Sequence, residues 1–215
     1  LYSSSCSVYG APVVQPITEA TAKAPINPYG WTKYIGEHVL ESYRQSHGLA
    51  PVMLRYFNVS GADPELQLGE RHKLEIHAVP VMLQAARDGA VFNVFGNDYD
   101  TPDGTCIRDY IHVWDLARAH LKALEYLDGP VDHIAFNLGT GRGASVLELA
   151  AAVEKATGKP VHLNFQARRA GDPPMLVADA TLARRVLQWT PEYADITAVV
   201  ASAWQFMASG RGCGA

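Results

Sequence analysis

Apolar positions along the chain recur in two rhythms. Short dense runs at residues 52–57 (VMLRYF), 91–95, 133–138 and 161–165 predict strands, with residues 108–113 also extended and residues 1–4 the tail of one more. Between these runs the apolar positions fall at helical spacing over residues 78–86, 115–127, 145–157, 178–188 and 196–207. The best-marked helix begins at Asn27-Pro28 and carries Tyr29, Lys33, Ile35, Val39, Leu40 and Tyr43 to a stop at Gly48. Asparagine is a favoured N-cap, proline is tolerated at the first helical position because its missing N–H has no partner there, and glycine suits the C-terminal stop. Ser145 and Glu148 have the spacing of a capping box. Residues 10–27, with Pro12, Pro16 and Pro25, read as a long surface loop, and residues 58–71 and 96–105 as turn-rich connections. Strands alternating with helices predict an α/β protein. No internal repeat is visible, and residues 210–215 read as a frayed tail.

Composition narrows the class. With 215 residues, 48% hydrophobic and 19% charged, the chain is globular in composition and long enough for a sizeable core. A net charge of -4 and a pI near 6.1 exclude a general nucleic-acid or anionic-membrane binder, while leaving local basic clusters available for small anions. Cys6, Cys106 and Cys213 are odd in number and lack CxxC spacing, so neither a disulfide framework nor a zinc site is indicated and a reducing cytoplasm is expected. No apolar run approaches the roughly 20 residues that span a bilayer, and residues 1–10 lack the charged and apolar regions of a signal peptide. Only Leu1 and Tyr2 precede the first serines. A strand runs about five or six residues, so this one is expected to begin before Leu1.

Two stretches bear candidate chemistry. Residues 3–7 (SSSCS) put hydroxyls at a strand end, where open α/β sheets place their ligand crevice. Tyr29 and Lys33 stand at i and i+4 of the marked helix, hence on one face. A phenol ionises near 10 in isolation, and positive charge from Lys33 is expected to favour its ionised form and make it a base. Residues 139–144 (GTGRGA) match a G-x-G-x-x-A phosphate loop between a strand and a helix, but the carboxylate that should follow about 20 residues on is absent, so a tight turn is expected instead. Arg168-Arg169 with Gly171-Asp172 suit either phosphate recognition or a solvated, charge-balanced loop. Arg108 is a second candidate phosphate ligand, with an ion pair to Asp109 or Asp103 equally natural. Judged as residues alone, Phe95 reads as core, Asn58 as a turn former, His77 and His112 as structural or surface residues without metal-ligand grouping, and Cys6 and Cys106 as inert.

Six motifs occur together and in order: SSSCSVYG, NPYGWTK, LRYFNVSGA, GNDYDTPDGTCIRDYIHVWDLARAH, FNLGTG and RRAGDPPMLVADAT. Through them nearly the whole chain resembles the nucleotide-sugar 4-epimerases of the extended short-chain dehydrogenase/reductase family. The match is to their C-terminal two thirds, without the N-terminal glycine-rich NAD loop. The resemblance implies the C-terminal portion of a doubly wound Rossmann-type parallel sheet with a smaller α/β substrate domain. Residues 1–57 would be a remnant of the dinucleotide-binding domain and residues 58–215 mainly the substrate domain, with segments near 91–138 returning to the sheet.

The same resemblance implies NAD-dependent inversion at C4 of a UDP-sugar, the UDP-glucose/UDP-galactose pair first, by a homodimeric cytoplasmic isomerase that uses no metal. Tyr29 would be the base and Lys33 its partner on the nicotinamide ribose. Ser5 and Ser7 would bind near the sugar 4-hydroxyl, and Ser3 and Tyr56 would border the cofactor. Asn58, His77, Phe95, Arg108, Arg169, Asp172 and Leu176 would contact the nucleotide sugar, with the two arginines on the diphosphate and Asp172 on the uridine ribose. Ser7 departs from the family's commoner threonine and His77 from an asparagine found in some relatives. The bulk at Leu176 bears on whether an N-acetyl group fits, so UDP-N-acetylglucosamine and UDP-xylose stay open as substrates, and an inactive nucleotide-sugar-binding fragment is the alternative to turnover. Cys6 and Ser7 occupy the place where dehydratases of the family carry acids, which argues against elimination chemistry.

Overall fold

Short-range chemistry starts and stops most of the elements in the computed structural model, which describes residues 1–210. The tail expected over residues 210–215 therefore lies, beyond Gly210, outside the described residues, as does Cys213. Strand β1 (Tyr2–Ser5) runs into a 3-10 turn, Cys6–Tyr9, capped by the Ser5 hydroxyl accepting from the Ser7 amide. Helix α1 (Pro28–His47) has the ends read from the sequence: Asn27 accepts from the Gly30 amide, and Gly48 closes the helix at φ 69°. There follow β2 (Met53–Tyr56), β3 (Asn58–Ser60), α2 (Ala78–Asp88), β4 (Val91–Phe95), β5 (Ile107–His112) and α3 (Val113–Tyr126). The chain continues through β6 (Ala135–Leu138), β7 (Gly143–Ser145), α4 (Val146–Thr157), β8 (His162–Gln166), β9 (Met175–Leu176), α5 (Thr181–Val186) and α6 (Ile196–Ala208). The capping box is formed, with Ser145 and Glu148 each bonding the other's backbone amide.

The strands are mostly parallel. Strands β1, β2 and β6 form one parallel sheet in that order. Strands β3, β5 and β7 form a second, in which β3 and the short β9 run parallel to β5 and β7 antiparallel to it. Strands β4 and β8 pair alone, also in parallel. Leu54, Phe136 and Leu138 of the first sheet are fully buried against Ala119 and Ala123 of α3 and Ala183 of α5. A second core joins Met82 and Leu83 of α2, Phe92 and Val94 of β4, Leu149 and Val153 of α4 and Val200 of α6. Each such large side chain contributes about 1.5–3 kcal/mol by leaving water. No helix among the described residues is long and apolar enough to cross a membrane.

Residues 10–27 run mostly over the surface as expected, anchored at Ile17, which is fully buried, its amide donating to the Val177 carbonyl and its carbonyl accepting from the Asp179 amide. Two expectations are corrected. Residues 58–71 are not all loop, because Asn58–Ser60 finds a partner in β5. The helix expected over residues 178–188 shrinks to Thr181–Val186, since the chain before it is held extended by β5 and by the Ile17–Ala178 bridge. Local periodicity is blind to partners so far along the chain.

What fixes α1 against the first sheet is a buried charge network. Arg55 lies on β2, 3% exposed, on the face opposite Leu54. Its Nε and Nη2 donate to the two Glu37 oxygens at 2.8 and 2.7 Å, and its Nη1 to the Tyr9 hydroxyl at 2.8 Å. Ser4 Oγ donates to Glu37 at 2.6 Å, and Tyr9 Oη donates to Asn137 Oδ1 on β6 at 2.7 Å. Breaking a buried pair by removing one partner typically costs about 3–5 kcal/mol, because the remaining charge is left without compensation. Glu37→Ala is therefore expected to destabilise the fold by about that amount in urea unfolding, whereas a loss below about 1 kcal/mol would place the pair among exposed ones.

Candidate active site

The first turns of α1 and the end of β1 meet because a glycine follows Tyr29. A Cβ on Gly30 would stand 2.6 Å from the Ser7 carbonyl oxygen, so glycine lets the helix press against the 3-10 turn. Tyr29 is half exposed, with Ser5 beside its hydroxyl, and Ser5 Oγ accepts from the Ser7 amide and donates to Ser7 Oγ, both at 3.2 Å. Lys33 Nζ donates to the Ser3 carbonyl at 2.9 Å and sits 5.6 Å from the ring centroids of both Tyr2 and Tyr29. The ammonium thus faces the ring rather than the phenol oxygen. Burial pushes the Tyr29 phenol above its ordinary value, and the Ser5 hydroxyl pulls it only part of the way back. The expected net lowering is not seen in this chain: burial is the largest influence on the phenol and the Ser5 hydrogen bond the influence that lowers it.

A cleft of about 800 Å³ opens in front of Tyr29. Its walls bring together Ser5, Tyr29, Tyr56, Asn58 and His77 from the expected set, with Tyr110, Val113 and Leu116 among the apolar lining. Asn58, read from composition as a turn former, instead stands exposed on β3 at this wall. Ser3, Ser7 and Lys33 lie behind Tyr29 and Ser5 and are not in the lining.

A second group gathers at one end of β5. Arg108 pairs with Asp172, not with Asp109 or Asp103, and faces Leu176 across the β5–β9 register. Arg169 stacks its guanidinium 3.7 Å from the Phe95 ring centroid, so Phe95 is a partly exposed platform rather than core. Arg168 is occupied by Asp98 at 2.6 Å and by the Tyr99 ring at 4.4 Å, leaving Arg169 as the member of the pair without an ion pair among the described residues. Arg108 is near enough to Cys6 for its charge to act on the thiol, which ties this corner to the turn after Ser5. Burial nonetheless pushes the Cys6 thiol up to about 12, in keeping with an inert cysteine.

The loop over residues 139–144 is filled from within. Asp109 Oδ1 accepts from the Thr140 amide at 2.8 Å and its hydroxyl at 2.7 Å, while Oδ2 accepts from the amides of Gly141 at 3.0 Å and Ala178 at 3.1 Å. An internal carboxylate thus takes the place a phosphate would have, and the dinucleotide-loop match is a structural turn. Burial raises the Asp109 pKa against the pull of those donors.

Sequence reasoning missed Glu37, Arg55 and Asp109, whose partners are remote along the chain. It also missed a grouping with a local signal, E-x-H-x-x-E-x-H over residues 70–77. His77, expected to stand apart from other ligand-type residues, has Glu70, His72 and Glu75 around it, with one potential ligand atom from each of the four within 4.8 Å of the others.

Comparison with known proteins adds a lineage to this geometry. The model of the NAD dependent epimerase/dehydratase family matches residues 1–139. The chain is 49% identical over 209 residues to a UDP-glucose 4-epimerase of Rhizobium meliloti (strain 1021), covering 96% of this chain and 63% of the relative. A Streptococcus mutans UDP-glucose 4-epimerase is 44% identical, with 97% and 63% covered. Among solved structures, the Brucella ovis UDP-glucose 4-epimerase in complex with NAD superposes with a TM-score of 0.90 at 50% identity, covering 94% of this chain and 63% of that one. The chain therefore spans a little under two thirds of these relatives, and its fold is theirs: a Rossmann-like α/β fold with mostly parallel strands.

The electrostatics of Tyr29 are measurable in the chain alone. A spectrophotometric titration, read as the difference from Tyr29→Phe, is expected to place its ionisation above the ordinary tyrosine value. Ser5→Ala should move it higher, because the hydroxyl favours the phenolate. An ionisation below that ordinary value would mean that Lys33 governs the phenol after all.

Proposed function

The chain belongs to the NAD dependent epimerase/dehydratase family, and from that premise we propose that it serves NAD-dependent inversion of C4 in a UDP-hexose, interconverting UDP-glucose and UDP-galactose. The observation that carries the reading is the convergence of Tyr29, Ser5 and Tyr56 on one large cleft. The 49% identity to a UDP-glucose 4-epimerase supports the choice of substrate.

The residues in the chain fit the nicotinamide end of the cofactor. Lys33, beside Tyr29, spends one of its three N–H donors on Ser3 and keeps two for a ribose, while Tyr29 and Tyr56 border the large cleft. The loop over residues 139–144 does not fit a pyrophosphate, because Asp109 already holds its amides. When bound, NAD supplies a hydride acceptor for C4, returning the hydride to the 4-keto sugar, and a second positive charge beside the phenol.

Tyr29, as phenolate, takes the proton of the sugar 4-hydroxyl and gives it back to the epimeric oxygen, with Ser5 hydrogen-bonding that oxygen. Lys33 keeps a cation over the ring throughout. Arg108 and Arg169 hold the diphosphate, for which Arg108 must exchange part of its hold on Asp172. With the phosphate fixed, the sugar is free to present either face of C4. Phe95 borders the uracil, Asp172 reaches the uridine ribose, Asn58 and His77 line the nucleotide-sugar path, and Leu176 limits bulk on the sugar.

Assay of both epimerisation directions with bound NAD tests the reading. Tyr29→Phe is expected to lower kcat by about 10²–10⁴-fold with UDP-sugar affinity little changed; undiminished turnover removes Tyr29 from the chemistry. Arg169→Ala should instead raise KM by roughly tenfold or more, the loss of one charge-assisted contact, and leave kcat near that of the parent. A variant whose kcat fell at constant KM would move Arg169 from binding to the reaction itself.

A further inference from the structure

We propose that Glu70, His72, Glu75 and His77 form a binding site for a divalent transition-metal ion of the zinc class. The four lie on the segment that leads into α2, His77 being its N-cap residue, which makes no side-chain cap. One ligand atom from each, an imidazole nitrogen or a carboxylate oxygen, lies within 4.8 Å of those of the other three. Glu70 Oε1 is 2.6 Å from His77 Nδ1 and 3.3 Å from His72 Nε2, and Glu75 Oε1 is 3.2 Å from His77 Nδ1. Tetrahedral zinc with bonds of about 2.0–2.1 Å sets its ligand atoms about 3.3 Å apart, so the side chains are close to coordination distances already.

Charge and chemistry favour the same ion. Two carboxylates balance a 2+ ion, and two imidazoles select zinc, cobalt or nickel over calcium and magnesium, which prefer all-oxygen sites. The glutamate side chains face inward, 23% and 6% exposed, and the histidines outward at 51% and 53%, which leaves a route in from solvent. Glu75 is held in place by the amides of Ile76 and His77, each donating to it at 2.9 Å. Crowding of the two carboxylates, after burial, raises the Glu70 pKa, a repulsion that a cation would relieve.

A separate observation points into the same place. Ser60 is 5% exposed, and its hydroxyl has no hydrogen-bond partner among the described residues. It lines, with Glu70, His72 and Glu75, a cavity of about 40 Å³, room enough for a water, which needs about 10–15 Å³. A water on the ion would satisfy that hydroxyl. The assignment makes His77 a metal ligand before it is a nucleotide contact, and since Glu70 and His77 also line the large cleft, the ion would brace that wall. It does not depend on the epimerase reading.

The test is titration of chelator-stripped protein with Zn²⁺ by calorimetry, and with Co²⁺ by visible absorption, near neutral pH. Stoichiometric uptake is expected, with tetrahedral cobalt bands and a higher Tm. His72→Gln, an exposed position whose loss should not disturb the metal-free Tm, is expected to weaken uptake at least roughly tenfold. His162→Gln, on the exposed edge of β8, should leave uptake as it was. No uptake, or uptake equal in His72→Gln and the parent, would overturn the site and leave a cluster of ion pairs.

Discussion

The Glu37–Arg55 pair is the constraint on which the rest of the site depends. Glu37 stands one helical turn beyond Lys33 and two beyond Tyr29 on α1, so the interaction that fixes Glu37 on the sheet also fixes where the phenol and the ammonium emerge. Through Arg55 the pair reaches Tyr9 in the turn after Ser5, and through Tyr9 it reaches Asn137 on β6. Asn137 in turn donates its side-chain amide to the Ile17 carbonyl and its backbone amide to the Glu19 carboxylate, which anchors the proline-bearing loop. One buried ion pair thus sets helix, strand end, turn and loop in a single register. Because each of its charged and polar side chains is bonded to another member, it favours one arrangement over alternatives of similar burial.

Asp109 does the same for the other half of the site. Its neighbour Arg108 points toward Asp172, while Asp109 itself turns into the loop after β6 and the amide of Ala178. Adjacent residues on a strand face opposite sides, and here one side pairs a guanidinium with Asp172 while the other seals a glycine-rich turn. A sequence motif that looks like a phosphate cradle is therefore a device for holding β5, β6 and the approach to α5 together. Gly139 is required at that contact, since a Cβ there would stand 2.5 Å from Asp109 Oδ2.

Much of this was legible in the chain because it rests on near neighbours. The cap at Asn27, the stop at Gly48, the Ser145–Glu148 box and the alternation of strands with helices all follow from residues a few positions apart. The Tyr29–Lys33 spacing likewise put both side chains on one face of α1. The companionship of Ser5 and Tyr29 was legible for another reason, a motif order shared with a family rather than any periodicity. Where the sequence misled, as with residues 58–60 and 178–188, the deciding partner lay far away in the chain: β3 on β5, β9 on β5 and Ala178 on Ile17.

Sequence alone determined the class of fold, the ends of the main helices and the identity of the phenol, ammonium and guanidinium groups, because composition, capping and side-chain chemistry are local properties. Tertiary structure alone decided what those groups face. It set Lys33 over a ring instead of against the phenol oxygen, gave Arg108 to Asp172, stacked Arg169 on Phe95 and gathered His77 with Glu70, His72 and Glu75. The direction of the Tyr29 shift depends on burial and on the Ser5 hydrogen bond, and neither exists until β1 and α1 have packed together.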